Sequence, residues 1–254
     1  TCMAHYEAFW NRGIPVAVFD SLEDFSGYKL LIAPMLYLTR PGVSERITEF
    51  VRNGGTFVTT YWSGIADEND LVHLGGFPGP LREVCGVWAE EIDALLDGET
   101  RRIVPHKGNA LGLKSNYTAH RLCDLIHTEK AEALAAYGDE FYAGRPALTV
   151  NSFGNGHAYY IASRNTEPFL DDFYGRISTD LGIRPVVDAE LPEGVTAQLR
   201  TDGESRFVFV LNLMRQARTI ELKKGAFEDM LTGERIEGTF DLAEYGVRVL
   251  RETT

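Results

Sequence analysis

The stretch "GGTFVTTYWSGIADEND", residues 54–70, decides the fold. Gly54-Gly55 is a turn, and the β-branched run Thr56 to Thr60 reads as a strand buried on both faces. Trp62-Ser63-Gly64 ends it, and an acidic loop follows. In open α/β sheets, ligands and nucleophiles lie just past the carboxyl ends of such strands, so Ser63 is the first residue to test. Upstream, "RPGVSERITEFVRNGG" has a proline near a helix start, apolar residues at Val43, Ile47 and Val51, and glycines at its end. Before it come two expected strands, "LLIAPMLYL" and "IPVAVFD", and "AHYEAFWN" reads as the end of a helix stopped by Gly13. Strand–helix–strand alternation with short connections predicts a parallel, doubly wound sheet.

A flavodoxin-type sheet, with strand order 2-1-3-4-5, keeps its first strand in the interior. Here the chain enters at the first helix, so it reads as the latter part of a longer chain. An interior strand position left empty strands backbone polar groups. "PVAVF" and "LLIAP" are therefore expected to lie either side by side or separated by a strand from elsewhere.

Downstream, "LGGFPGPLREVCGVWAEEIDALL" reads as a loop and a short helix, and "GETRRIVPHKGNALGL" as an irregular excursion. "AHRLCDLIHTEKAEALAAYG" mixes signals, with a strand over 131–137. "RPALTVNSFGNGHAYYIAS" predicts a β-hairpin turning at Asn155-Gly156, and residues 171–181 a helix ended by Gly182. From 194 to 251 apolar and polar residues alternate at period two, with turns at Asp202-Gly203 and Thr232-Gly233. The expected division is an α/β domain, 1–187, and a small antiparallel all-β domain, 188–254.

Composition narrows the function classes. A formal charge of −12 over 254 residues argues against nucleic acid and anionic membrane surfaces as partners. No apolar run approaches the roughly 18 residues of a membrane span. Three cysteines, Cys2, Cys85 and Cys123, make no disulfide framework and point to a reducing, cytoplasmic compartment.

Each candidate for chemistry carries a defect. A nucleophile elbow needs glycine two residues to either side of the serine, and Ser63 has Tyr61 and Ile65 there. Asp67-Glu68-Asn69-Asp70 lacks the third ligand and the glycine of a calcium loop, which favours turn chemistry. His120, Cys123 and His127 would share one helical face, but a structural zinc site wants a fourth ligand. Glu90, Glu91 and Asp93, like Asp139 and Glu140, sit too close in sequence to face each other across a sugar. The run from Gly75 to Pro80 has too many prolines to cradle a phosphate. The residues give a fold, with no catalytic residue, cofactor or metal assigned.

The chain resembles the bacterial β-galactosidases of glycoside hydrolase family 42 over essentially its whole length. The resemblance is carried by "GIPVAVFDSLEDFSGYKLLIAPMLYL", "ITEFVRNGGTFVTTYWSGIADENDLVHLGGFPGPLREVCGVWAEEIDAL", "YAGRPALTVNSFGNGHAYYIAS" and "LPEGVTAQLR". It implies the trimerisation domain and the C-terminal β domain, without the catalytic barrel that carries both catalytic glutamates. It also implies bacterial origin, a homotrimer, and the barrel of the same parent chain as neighbour. The α/β part looks like a class I glutamine amidotransferase fold, but "AYYIAS" is followed by Arg164-Asn165-Thr166-Glu167, with no histidine. The resemblance thus implies an inactive assembly portion of an enzyme that hydrolyses terminal β-D-galactosides. Trp62, Phe77, Pro78 and Trp88 are the candidate contacts. The alternatives are an independent amidotransferase-like hydrolase and a sugar-binding β module. In the β domain, Phe207 and Phe209 share one face of a strand and are expected in its core.

Overall fold

The computed structural model describes residues 1–253. The chain forms two compact units, residues 1–4 with 19–177, and residues 5–18 with 178–254. This differs from the sequence boundary at 187/188 in grouping 5–18 and 178–187 with the β-rich unit.

The first unit is built on a nine-stranded sheet. Its parallel part is three strands wide: β1 (Leu30–Ala33), β3 (Thr56–Thr60) and β10 (Gly156–Ile161), with β3 between the others. All five residues of β3 are buried, as its β-branched run requires. One face of β3 packs under α2 (Val43–Arg52), whose Val43, Ile47, Phe50 and Val51 join Phe57, Ala158 and Tyr160 in one core. That spacing is the apolar stripe of an amphipathic helix. On β10, Tyr159 points to the other side, where its ring meets Phe173 of α4 (Glu167–Asp180) edge-on. A small parallel pair, β2 (Leu38–Thr39) and β4 (Ala66–Asp67), stands apart from the main sheet.

Parallel pairing in the main sheet is confined to those three strands, against the expected parallel sheet throughout. Beyond β10 the sheet continues antiparallel through β9 (Pro146–Phe153), β8 (Glu132–Tyr137), β6 (Thr100–Pro105), β7 (Tyr117–Thr128) and β11 (Ser163–Asn165). Strand β5 (Val87–Ala94) pairs with β7. The expected irregular excursion therefore contains the ladder strand β6, and the stretch read as a loop and short helix contains β5. The helical face drawn through His120, Cys123 and His127 does not exist, because those residues lie along β7. The β9–β10 hairpin is present, but its turn is one residue earlier than expected: Phe153 pairs with Gly156, and Gly154 takes φ +60°. Glycine at the first central position is the type II′ requirement.

Residues 14–20 form no strand, against expectation. Strand β1 has β3 as its one ladder partner among the described residues. "PVAVF" and "LLIAP" are thus neither paired directly nor joined through a third strand. Val18 is 84% exposed. An apolar alternation forms a strand only when a neighbour supplies the ladder, and here none does.

The second unit holds α1 (Cys2–Trp10) from His5 onward, and a five-stranded antiparallel sheet. The sheet order is β12 (Val195–Thr201), β13 (Arg206–Asn212), β16 (Val247–Glu252), β14 (Arg218–Asp229) and β15 (Arg235–Leu242). Val208, Val210, Ile220, Phe227, Ile236 and Leu250 fill its core. The core face of β13 is that of Val208 and Val210, so Phe207 and Phe209 lie half-buried on the opposite face. Two equally apolar faces alternate along "RFVFVLNL", and the sequence does not choose between them.

Candidate functional site

At the carboxyl end of β3 the chain makes a sharp corner. Tyr61 continues the strand, its N–H donating to the Ile161 carbonyl at 2.7 Å. Trp62 then takes φ +58°, a left-handed conformation that a bulky residue adopts only under constraint. Its backbone N–H donates to Asp124 Oδ2 at 3.0 Å. Asp124 lies on β7, 1% exposed, and the same oxygen accepts the Tyr160 hydroxyl at 2.6 Å. Burial pushes the Asp124 carboxyl up to about 6, against the pull of the Tyr160 hydroxyl and the Trp62 N–H. Its Oδ1 has no hydrogen-bond partner among the described residues. Sequence reading passed over this residue, yet the signal was there: one carboxylate inside the apolar run "LCDLI".

Ser63 points inward. It is fully buried, and its Oγ accepts the Leu36 N–H at 3.0 Å and lies 2.8 Å from Thr59 Oγ1. A nucleophile must reach a substrate, and this hydroxyl instead ties the corner to the segment after β1. Ser63→Ala should leave the Leu36 N–H without an acceptor and cost about 1–2 kcal/mol. Urea titration checks this, and an unchanged midpoint would remove the role.

The corner runs on into a hairpin. Gly64, at φ +61°, passes so close to Pro78 that a Cβ would lie 2.1 Å from its carbonyl oxygen. Asp67 Oδ1 accepts the N–H groups of Asn69 and Leu71, at 2.8 and 3.0 Å. The acidic loop is therefore a turn closed by its own carboxylate. Among the described residues no group of three His, Cys, Asp or Glu side chains could hold a metal ion. Asp70 accepts the Tyr37 hydroxyl at 2.8 Å, and Tyr37 meets Trp62 edge-on at 5.7 Å. Leu71, Val72 and Leu74, which follow Asp70 in the chain, are exposed, Leu74 at 97%.

The four candidate contacts separate. Trp62, 36% exposed, presents its ring at the surface. Trp88 is half-buried on β5; its ring stacks on His127 at 4.6 Å, with the Arg82 guanidinium 5.6 Å from its centroid. Phe77 packs against the core under α2, and Pro78 is buried. Four of the clustered carboxylates have local partners. Glu90 pairs with His127 and Arg145 at 2.8 and 2.7 Å, and Asp93 accepts the Tyr142 hydroxyl at 2.6 Å. Asp139 accepts the Arg102 N–H at 3.1 Å, and Glu140 lies 3.9 Å from Arg101.

Comparison with known families matches residues 1–184 to the β-galactosidase trimerisation domain and residues 194–252 to the β-galactosidase C-terminal domain. The chain belongs to glycoside hydrolase family 42. It is 52% identical to β-galactosidase Pbg of Clostridium perfringens and 47% identical to β-galactosidase BglY of Alicyclobacillus acidocaldarius. These alignments cover 99% and 98% of this chain, but 36% of each relative. Among solved structures, the β-galactosidase of Bacillus circulans sp. alkalophilus superposes with a TM-score of 0.94 at 41% identity, over 98% of this chain and 37% of that one. The cold-adapted enzyme of Rahnella sp. R3 gives 0.91 at 48% identity, with 98% and 36% covered. The chain thus spans about a third of the family 42 enzymes it matches. The corner of Trp62 and Asp124 lies within the part matched to the trimerisation domain.

Proposed function

We propose that this chain is the non-catalytic assembly portion of a bacterial, cytoplasmic β-galactosidase that hydrolyses terminal β-D-galactosides. The observation that carries the reading is the trimerisation-domain match over 1–184. In this reading residues 1–187 bring three copies together, and 188–254 form the accompanying β domain. The parallel β1–β3–β10 segment is the remainder of a flavodoxin-like, amidotransferase-like sheet. Its elbow, where an amidotransferase holds its cysteine, carries Trp62. A site that in one family presents a nucleophile here presents a contact ring. The buried free thiols of Cys85 and Cys123 support a reducing compartment.

Trp62 leads the contact surface, with Tyr37 beside it and the exposed hairpin residues Leu71, Val72 and Leu74 as further members. Tryptophans held in rigid surroundings dominate interface energies. Trp62→Ala is expected to weaken self-association by about 2 kcal/mol, near thirtyfold, in sedimentation velocity. Trp88→Ala, whose ring is already covered by His127, should matter less. The chain alone should hydrolyse neither a chromogenic galactoside nor glutamine. Measurable turnover, or unaltered association of the Trp62 variant, would contradict this reading.

A further inference from the structure

The Trp62 corner contains a feature that packing alone does not require. A carboxylate whose Oδ1 has no hydrogen-bond partner among the described residues sits inside the first unit, and its Oδ2 accepts the Trp62 backbone N–H. Unpaired buried charge is costly, and such groups concentrate where a protein uses their ionisation. The titratable neighbours come from every element around it. Tyr160 on β10 donates to Oδ2, and Tyr137 on β8 donates to the Asp124 backbone carbonyl at 3.1 Å. Tyr61, after β3, feels Asp124 on one side and Arg164 of β11 on the other. Cys123 lies beside Asp124 on β7, and Cys85 of α3 (Arg82–Cys85) faces Tyr160. Burial raises all three tyrosines and pushes both thiols up to about 12. The tyrosines and thiols stay neutral through the range in which a carboxyl near 6 changes charge.

Protonation disturbs this arrangement. A proton on Oδ2 would oblige the Tyr160 hydroxyl to turn from donor to acceptor and would still face the Trp62 N–H, a group that can only donate. A proton on Oδ1 would make a buried hydroxyl with no acceptor. The neighbour most ready to move is the strained one, because the left-handed backbone of Trp62 is held by a charge-assisted bond that weakens when the charge is lost.

We propose that Asp124 is a positioning residue for the self-association surface: ionised, it fixes the Trp62 corner and copies associate; protonated, it releases the corner and the assembly loosens. This rests on the proposed assembly role for its second half, while the movement of the corner stands independently. The linkage is reciprocal, so assembly should lower the Asp124 pKa, and each unit of that shift is a tenfold change in association.

The test uses the 254-residue chain with Trp10 and Trp88 replaced by phenylalanine, leaving Trp62 as the reporting fluorophore. At dilutions where the chain is monomeric, Trp62 emission is expected to change between pH 7.5 and 5 with a midpoint near 6. Asp124→Asn should abolish the transition. Tyr160→Phe removes a donor to the ionised carboxylate and should move the midpoint up by about one unit. It also carries the test if the asparagine variant does not fold by circular dichroism. Sedimentation of the unsubstituted chain should show association about tenfold weaker at pH 5 than at pH 7.5, and Asp124→Asn should be weak and flat. A Trp62 signal without a transition, or a transition unmoved by both variants, overturns the proposal. So does association whose pH dependence survives in Asp124→Asn. A transition of the expected kind in a chain that associates at no pH upholds the latch on the corner and refutes the assembly reading instead.

Discussion

Gly156→Ala is expected to destabilise the first unit by at least ~4 kcal/mol, close to abolishing its fold. A Cβ built on Gly156 would lie 2.2 Å from the Gly55 carbonyl oxygen and 2.3 Å from that of Val51. Neither atom can yield. The Val51 carbonyl accepts the Gly54 N–H at 3.0 Å, and the Gly55 N–H donates to the Phe50 carbonyl at 3.0 Å, so both belong to the locked exit of α2. Relief would require β10 to leave β3, breaking a ladder that registers His157 with Thr56 through Ile161 with Thr60. A domain holds only about 5–15 kcal/mol in total, so this one methyl group consumes much of it. The control is Gly27→Ala, where the added carbon meets nothing within 4 Å and the change should stay within about 1 kcal/mol. Urea unfolding of both variants decides: a Gly156 variant within about 1 kcal/mol of the parent would disprove the close approach.

The same contact explains what the sequence made legible. Strand β3 and helix α2 are local statements: a β-branched run, an apolar stripe, and glycines where two backbones touch. Strand β7 is not a local statement. Its His120, Cys123 and His127 fit a helical period as well as a strand, and only its pairing with β5, β6 and β11 selects the strand. The segment at 14–20 shows the converse, a strand pattern left without a ladder. Phe207 and Phe209 lie off the core because both faces of β13 are apolar, and the choice falls to the side of Val208 and Val210, where Val187, Ile220 and Phe227 pack. At the site, the exposed loop aromatic Trp62 was visible as a candidate. The corner that holds it was not, since Asp124 is 62 residues away in sequence. Ser63 drew attention by position, but a left-handed residue marks an elbow, and that residue is Trp62.

Acidification is expected to move the two units in opposite directions. Asp124, in the first unit, has its carboxyl raised from 3.8 to about 6 by burial. A raised group favours the folded state most when protonated, so its contribution is fully present below the unfolded pKa and is lost as pH rises through 6. His5, in the second unit, is 6% exposed, and burial lowers it from 6.5 to about 4. A lowered histidine contributes stability above 6.5 that is lost as pH falls toward 4, because the unfolded chain takes up the proton first. At about 1.4 kcal/mol per unit, each shift amounts to roughly 3 kcal/mol across its window. Between pH 6.5 and 4 the terms oppose each other, and a whole-chain melting curve would largely hide both. Hydrogen exchange separates them: amides of β3 and β10 should gain protection on acidification, after correction for intrinsic rates, while those of β13 and β14 lose it. Asp124→Asn should flatten the first response and leave the second, and His5→Phe should do the reverse. Parallel movement of the two sets, or indifference of either to its own variant, would mean that other groups govern the acid response. The two responses of Asp124 are compatible: protonation removes the cost of a buried charge and stabilises the folded unit as a whole, while the Trp62 N–H alone loses a charged acceptor.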